Sequence, residues 1–202
     1  SDDKVKMVLI DGPAGTSKTL VAVHSALWLL KKHKVEEILY VRTPIETGDH
    51  ELGFLPGDLA EKTNPYLAPL QDKLEELLKP DVISNLLKGN YIKGIPVNYI
   101  RGSSWRHKAV IADEMQNASV NTLKTFMTRI GEGCKVFIAG DHQQTDIGKK
   151  SGFKDIVNLF DNEEARNNGI IVFRFTEEDI VRSELCKFIT KTFAKYSDAK
   201  QD

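Results

Sequence analysis

The residues best suited to chemistry in this 202-residue sequence form one short stretch, from Gly12 to Thr19. A largely apolar run at residues 5–10 precedes it and predicts a buried strand, and residues 20–30 carry apolar side chains at helical spacing. A strand, a glycine-containing loop, Lys-Thr and a helix in this order form a P-loop, whose backbone N–H groups surround phosphate. The stretch therefore predicts a nucleotide-phosphate site made of Gly12, Pro13, Ala14, Gly15, Thr16, Ser17, Lys18 and Thr19.

The end of this loop combines two residues suited to binding phosphate and Mg²⁺ with one departure from the usual pattern. Lys18 can reach the β- and γ-phosphates as a mobile charge, and the Thr19 hydroxyl can bind Mg²⁺ at the partly positive N-terminus of the helix. Ser17 stands where the pattern G-x-x-x-x-G-K-[ST] has its second glycine. A positive φ at Ser17 would cost about 1–2 kcal/mol, whereas a negative φ would cost little. The alternative interpretation is a strand–turn–helix unit that binds no ligand.

Apolar runs and periodic segments predict the rest of the fold. Strands are expected at residues 36–41, 108–112, 135–139 and 170–175, with a less clear one at 97–100. Helices are expected at residues 82–87, 120–130 and 178–195, and at 59–78, where Pro65 and Pro69 are expected to break the helix into pieces. Strands alternating with helices predict one α/β domain over residues 1–202, with a mostly parallel sheet covered by helices on both faces.

Polar residues follow several of these strands. Ligands of such sheets bind at the carboxyl ends of the strands, so the P-loop, Arg42-Thr43, Asp113-Glu114 and Gly140-Asp141 should lie along one edge. Asp113 ends an apolar strand and can hold Mg²⁺, while Glu114 beside it can activate water, as in a Walker B motif. The alternative is an acidic pair that caps the next helix. Gln144 follows the next strand and can sense the γ-phosphate; the alternative is a polar turn.

Composition limits the class of protein. The 28 Lys and Arg nearly balance the 29 Asp and Glu, which excludes a strongly basic coat for nucleic acid but not a local basic groove. The two cysteines, Cys134 and Cys186, suggest a reducing compartment and no disulfide framework. We find no signal peptide and no apolar run of membrane-spanning length. We therefore expect a cytoplasmic protein with no membrane partner.

Seven segments resemble the PhoH family, and the resemblance covers nearly the whole chain. They read GPAGTSKT, VRTPIETG, LGFLPGDLAEKTNPYLAPL, YIRGSSWRHKAVIADEMQN, TRIG, GDHQQTD and DIVRSEL. The resemblance implies a P-loop ATPase whose core is similar to the RecA-like domain of superfamily 1 helicases. It implies that Gln144 is the γ-phosphate sensor and Arg182 a candidate arginine finger, with Arg129 as the second candidate. The alternative for Arg182 is a surface arginine on a charged helix face.

The same resemblance places Arg42 and Thr43 where similar helicase domains contact single strands. Arg101, Trp105 and Arg106 add cations around an aromatic ring, which suits backbone phosphates and stacking on a base. The alternative is that Trp105 belongs to the core and the charges are solvated.

These observations predict a Mg²⁺-dependent ATPase that couples ATP hydrolysis to the handling of RNA or single-stranded DNA. One RecA-like domain leaves the second wall of the site to a neighbouring subunit, which predicts a homo-oligomer such as a ring. The alternative is a nucleotide-binding switch or interaction module with little turnover, motivated by Ser17. A small-molecule kinase is disfavoured by the Walker B strand and Gln144.

Overall fold

Six parallel strands form one sheet in this computed structural model, which describes residues 4–43 and 59–181 and positions 185, 188, 189 and 192, with only the backbone at 59–66. The strand order is β3-β2-β4-β5-β1-β6, and each pair of neighbours is parallel. The strands are β1 Met7–Asp11, β2 Glu37–Arg42, β3 Ile92–Pro96, β4 Lys108–Asp113, β5 Lys135–Gly140 and β6 Ile170–Arg174.

Helices cover both faces of this sheet. They are α1 Lys18–Lys31, α2 Leu59–Leu77, α3 Pro80–Lys88, α4 Val120–Met127, α5 Phe153–Phe160 and α6 Glu163–Asn167. Successive strand residues point to opposite faces, so Ile111 packs with residues of α1, α2 and α3, while its neighbour Val110 packs with residues of α4 and α5. The predicted α/β fold of the P-loop NTPase type is confirmed. Across the described residues, no helix combines the length and apolar character needed to cross a membrane.

The strand predicted at residues 97–100 is wrong. The sheet instead uses β3, and residues 97–99 form a single 3-10 turn. Gly94 lies inside β3, where α2 packs closely against the strand. A Cβ at this position would come within 2.7 Å of the Leu67 side chain, so the packing favours glycine. Pro96 lacks an N–H group and is tolerated at the last position of this edge strand. Neither residue favours a strand in isolation, so the apolar pattern did not reveal β3.

The prediction that Pro65 and Pro69 divide the next helix is also wrong, because α2 is continuous through both. A proline inside a helix costs about 3 kcal/mol. Leu70 and Leu74 of the same helix are each only 1% exposed and pack against the sheet. Burying two such side chains contributes about 3–6 kcal/mol, which offsets at least one proline.

The helix predicted to begin at residue 178 starts differently. Residues 177–179 form a 3-10 turn closed by a capping box, in which Asp179 accepts hydrogen bonds from the backbone and side chain of Thr176. The backbone N–H of Val181 then donates to the Gly15 carbonyl at 3.0 Å. Positions 185, 188, 189 and 192 are helical. Ile180 is extended, with φ −70° and ψ 111°, so the chain leaves helical geometry where the periodicity predicted a helix.

Trp105 belongs to the apolar core, being only 4% exposed. Its ring packs against Phe126 with 5.3 Å between ring centroids. Its backbone N–H donates to the Arg129 carbonyl at 3.0 Å, and its carbonyl accepts from the Gly131 N–H at 2.9 Å. The prediction that Trp105 stacks on a base is therefore wrong in this fold, because its ring is buried against the core.

Candidate nucleotide-binding site

A cleft of about 650 Å³ opens at the carboxyl ends of β1, β4 and β5. Eight of the site residues predicted from the sequence line it together, and they come from separate parts of the chain: Ala14, Gly15, Ser17, Lys18, Thr19, Asp113, Glu114 and Gln144. Strand β5 lies between β1 and β4, so the loop that carries Gln144 sits between the P-loop and the Asp113-Glu114 pair. Lys73 and Glu76 of α2 also line the cleft, although no sequence pattern indicated them.

The first half of the P-loop is held in place before any ligand binds. A Cβ on Gly12 would lie 2.6 Å from the Cβ of Phe175, so this position needs glycine. The Thr16 hydroxyl donates to the Pro13 carbonyl at 2.9 Å. The Ala14 N–H donates to Oδ2 of Asp141 at 3.0 Å, which ties the loop to the end of β5. These contacts preserve a curved backbone of the kind that surrounds phosphate.

Ser17 has φ +60° and ψ 24°, which is the left-handed conformation. Its side chain makes no capping hydrogen bond that would compensate for this conformation. The positive-φ case set out from the sequence is therefore the one observed, and the Cβ of Ser17 costs about 1–2 kcal/mol. The loop keeps the geometry that glycine usually provides, at the expense of strain at this residue.

Lys18 is folded back along the loop. Its Nζ donates to the carbonyls of Gly12 at 2.7 Å and Pro13 at 2.8 Å. Burial lowers the pKa of Lys18, and the nearby carboxylates, led by Asp141 and Glu114, act in the opposite direction. A phosphate in the cleft would offer Nζ full negative charge in place of two carbonyl dipoles. Lys18 is therefore positioned to exchange these contacts for a bound nucleotide.

Thr19 and Asp113 supply oxygen ligands of the kind that Mg²⁺ prefers. The Thr19 hydroxyl donates to Oδ1 of Asp113 at 2.8 Å, and Asp113 is 5% exposed. The described residues contain no group of three or more His, Cys, Asp or Glu that could hold a metal ion by themselves. Magnesium in nucleotide sites is commonly bound by one or two protein groups together with phosphate and water. The donor set at Thr19 and Asp113 fits that mode.

Gln116 connects the acidic pair to the loop after β5, a contact that the sequence did not indicate. Its Nε2 donates to Oε2 of Glu114 at 2.5 Å, and its Oε1 accepts from the Asp141 N–H at 3.2 Å. Its own carbonyl accepts from the Thr145 hydroxyl at 3.1 Å. Gln116 is buried, so these bonds hold the Glu114 carboxylate in one orientation.

The loop that carries Gln144 is anchored at two buried carboxylates. Asp141 accepts from the N–H of Gln143 through Oδ1 at 3.0 Å and from that of Gln144 through its carbonyl at 3.1 Å. His142 places Nδ1 2.9 and 2.8 Å from the two carboxylate oxygens of Asp11, the last residue of β1. The exposed Gln144 side chain faces the cleft from a backbone fixed on both sides.

The residues predicted to contact nucleic acid do not gather in this cleft. Thr43 is only 3% exposed, and its hydroxyl donates to the Glu114 carbonyl at 2.9 Å. Thr43 therefore supports Glu114 and is not accessible to a nucleic-acid strand. Arg42 is half-buried at the end of β2, and among the described residues its Nε has no hydrogen-bond partner. Arg101 and Arg106 are exposed on either side of Trp105.

Of the two candidate arginine fingers, the structure describes only Arg129. Arg129 is half-buried and its Nε donates to the Thr125 carbonyl at 3.3 Å, and it does not line the cleft of its own chain. Arg182 lies outside the described residues.

Replacing Ser17 tests the strain in the P-loop. We expect Ser17→Gly to be more stable than Ser17→Ala by about 1 kcal/mol, because alanine keeps the Cβ at a positive φ and glycine does not. Urea unfolding of both variants, monitored by circular dichroism, measures the difference. Ser17→Ala is the matched control, since it removes the same hydroxyl without relieving the strain. Equal stability of the two variants would show that the left-handed conformation costs nothing here.

Known proteins with sequences similar to this chain share one family description. The family profile described as PhoH-like protein matches residues 2–194. A PhoH-like protein of Bacillus subtilis is 39% identical in an alignment of 189 residues that covers 91% of this chain and 57% of that protein. A PhoH-like protein of Mycobacterium tuberculosis is 36% identical in an alignment of 189 residues that covers 93% of this chain and 52% of that protein. Protein PhoH of Escherichia coli is 35% identical in an alignment of 196 residues that covers 95% of this chain and 53% of that protein.

The chain thus spans about half the length of the curated relatives that it matches. Within that half, the match runs from the first strand through the P-loop, the acidic pair and the loop that carries Gln144. The chain belongs to the PhoH family of P-loop proteins.

Proposed function

We propose that this chain binds ATP with Mg²⁺ in the cleft and hydrolyses it. The observation that carries the proposal is the meeting of Lys18, Thr19, Asp113, Glu114 and Gln144 around one cleft at the carboxyl edge of the sheet. Membership in a P-loop family supports it. These residue types suit phosphoryl transfer because that chemistry depends on positioning and charge stabilisation.

In this proposal the residues have separate roles. Lys18 and the loop N–H groups bind the phosphates, while Thr19 and Asp113 would hold the metal ion. When bound, Mg²⁺ would neutralise charge on the phosphate oxygens. Glu114 accepts a proton from the attacking water, and Gln116 keeps its carboxylate oriented through the hydrogen bond to Oε2.

Gln144 reports the γ-phosphate, and its loop transmits that contact to neighbouring groups. The Asp141 carboxylate in this loop also accepts the Ala14 N–H of the P-loop. A change at Gln144 would therefore reach the P-loop and Glu114 through Asp141 and Gln116.

Glu114→Gln tests the catalytic role. We expect ATP binding to be kept and turnover to fall by on the order of 10²-fold or more, because glutamine cannot accept the proton. Phosphate release gives the rate and calorimetric titration gives the affinity. Lys18→Ala should weaken nucleotide binding itself, and Glu164→Gln, an exposed glutamate of α6, is the matched control.

Two results would change the assignment. Near-normal turnover in Glu114→Gln would remove Glu114 from the catalytic role. Tight ATP binding by the unmodified protein without measurable turnover would favour the nucleotide-binding switch, which the strain at Ser17 motivates.

We also propose that hydrolysis is coupled to the handling of single-stranded RNA or DNA. Similarity to helicase-like domains motivates this step, and among the residues predicted to contact nucleic acid, Arg101 and Arg106 are exposed and available for backbone phosphates. With Trp105 and Thr43 buried, the contact would be electrostatic, without stacking by Trp105. Such binding would have little sequence preference and would weaken steeply with salt.

A double substitution tests the nucleic-acid contact. We expect Arg101→Ala with Arg106→Ala to weaken single-strand binding and to reduce the slope of log K against log salt by about 1.4, because each phosphate that an arginine neutralises contributes about 0.7. Fluorescence anisotropy with labelled RNA and DNA over a salt series measures this. Lys149→Ala with Lys150→Ala removes two exposed charges elsewhere and is the control. An unchanged slope in the arginine variant would place the interface on another surface.

Assembly is the third part of the proposal. Lys18 and Lys73 are the cations among the described residues that line the cleft, and neither is an arginine. An arginine finger is worth about 10³–10⁵-fold in rate, so a neighbouring subunit that inserts one would complete the site. A head-to-tail contact of this kind closes into a ring when the rotation permits.

A cytoplasmic location belongs to the same proposal, and the buried free thiol of Cys134 agrees with it.

Mixing variants tests this arrangement. We expect turnover per subunit to rise with protein concentration, and Arg182→Ala subunits mixed with Lys18→Ala subunits to regain activity, because one mixed interface holds an intact P-loop and an intact finger. Phosphate release with light scattering on the same samples measures both. Each variant alone, at the same total concentration, is the control. Turnover that is independent of concentration in a strict monomer would contradict the arrangement.

A further inference from the structure

Tyr40 connects the buried core of the sheet to the candidate metal site. Its side chain has no exposed surface, and its hydroxyl donates a hydrogen bond to Oδ2 of Asp113 at 2.6 Å. Tyr40 lies opposite Ile111 in the register between β2 and β4, so Asp113 is two residues further along the neighbouring strand. Residues spaced by two share one face of a sheet, which brings the phenol and the carboxylate together.

Both oxygens of Asp113 are thereby assigned to donors. Oδ1 accepts from the Thr19 hydroxyl at 2.8 Å, and Oδ2 accepts from Tyr40. Asp113 itself is only 5% exposed, so these bonds are made in a poorly hydrated place, where hydrogen bonds to a charged group are strong. Two donors on opposite oxygens leave the carboxylate little freedom to rotate.

The remainder of the Tyr40 side chain has an apolar environment. Its ring packs in the layer between the sheet and the first two helices, with Ala22, Val23, Leu70 and Leu74 in the same cluster. The hydroxyl is the donor in its bond to Asp113, because an ionised carboxylate can only accept. A phenylalanine would fill the same apolar volume, and only the bond to Asp113 would be lost.

We propose that Tyr40 is the positioning residue of the magnesium site. Tyr40 holds Asp113 in the orientation that presents Oδ1 beside Thr19. This rests on the proposed function, because it assumes that Mg²⁺ and nucleotide bind in the cleft. Groups that hydrogen-bond to metal-binding side chains fix their orientation, and their loss reduces metal affinity by about 10–100-fold. Tyr40 touches neither nucleotide nor metal in this proposal and acts only through Asp113.

Tyr40→Phe tests this inference because it removes one hydroxyl and retains the ring. We expect the affinity for Mn²⁺, measured by electron paramagnetic resonance with a saturating non-hydrolysable ATP analogue, to fall by about tenfold. The affinity for the same analogue in EDTA should stay unchanged, since the P-loop contacts do not involve Tyr40. Tyr91→Phe, which removes a hydroxyl from an exposed tyrosine, is the matched control.

Two further measurements separate positioning from general stability. In a double-mutant cycle with Asp113→Asn, the two effects on Mn²⁺ affinity should be strongly non-additive, because Tyr40 acts through that carboxylate. Substitution of Tyr40 by 4-aminophenylalanine, which keeps a donor at the same place, should restore part of the Mn²⁺ affinity. It also provides a second variant should Tyr40→Phe fold poorly.

The outcomes distinguish this inference from the function on which it rests. Nucleotide binding by the unmodified protein that gains nothing from divalent cation would overturn the proposed magnesium site and the role of Tyr40 with it. If the unmodified protein shows normal metal dependence and a folded Tyr40→Phe variant binds Mn²⁺ as tightly or more tightly, the role of Tyr40 alone would be overturned. Additive effects in the cycle would likewise contradict action through Asp113.

Discussion

The backbone pairing of β5 with β1 on one side and β4 on the other determines where the polar groups that follow these three strands lie in the cleft. The strand between them separates the P-loop from the acidic pair by one strand position, and its own loop fills that position with Asp141 and Gln144. The register of the strands then sets how far each strand end extends toward the cleft, because Asp11 lies opposite Gly140 and Arg42 lies opposite Asp113. A slip by one residue in any of these pairs would turn the strand-end carboxylates to the other face.

Three buried carboxylates at the strand ends stabilise this edge before any ligand arrives. Asp11 contacts His142, Asp113 accepts from Thr19 and Tyr40, and Asp141 accepts from the P-loop and from its own loop. Each is 5% exposed or less, so each needs these donors to offset the loss of hydration. The same carboxylates surround Lys18, the cation that would meet phosphate. In the proposed function, Lys18 would exchange its carbonyl contacts for phosphate, and Asp113 would hold the metal ion.

Backbone strain lies on both sides of the cleft. Ser17 in the P-loop has φ +60°, and Glu114 after β4 has φ +56°, although neither is glycine. Conformations of this kind persist where the surrounding contacts determine them, and they concentrate at functional sites. For Glu114 the contacts are visible: Gln116 bonds to its carboxylate and Thr43 to its carbonyl. The Ser17 side chain makes no capping hydrogen bond, so we infer that the following helix and the glycine-containing loop hold the residue in place.

The sequence by itself determined the local parts of this protein. The P-loop, the acidic pair at the end of β4 and five of the six strands of the described sheet depend on residues close together in the chain, and their predicted segments overlap the observed ones. Strand β3 was expected at the wrong residues, and helices α5 and α6 were not predicted. The fold class followed from the same patterns. Local patterns failed where packing overrides them. Leu70 and Leu74 are buried in the continuous helix α2, which contains two prolines, and Ile180 is extended where the last helix was predicted.

Only the tertiary structure decided which distant residues support the site. Tyr40 and Asp113 are 73 residues apart in sequence, and Asp11 and His142 are 131 apart, so no spacing rule relates them. Trp105 shows the converse, because the charged residues around it in sequence suggested a surface ring, whereas its backbone bonds to Arg129 and Gly131 hold it where the ring packs against Phe126. The physical reason is common to these cases. Burial and hydrogen-bond partnership depend on strand order and register, and those arise from contacts made across the whole chain.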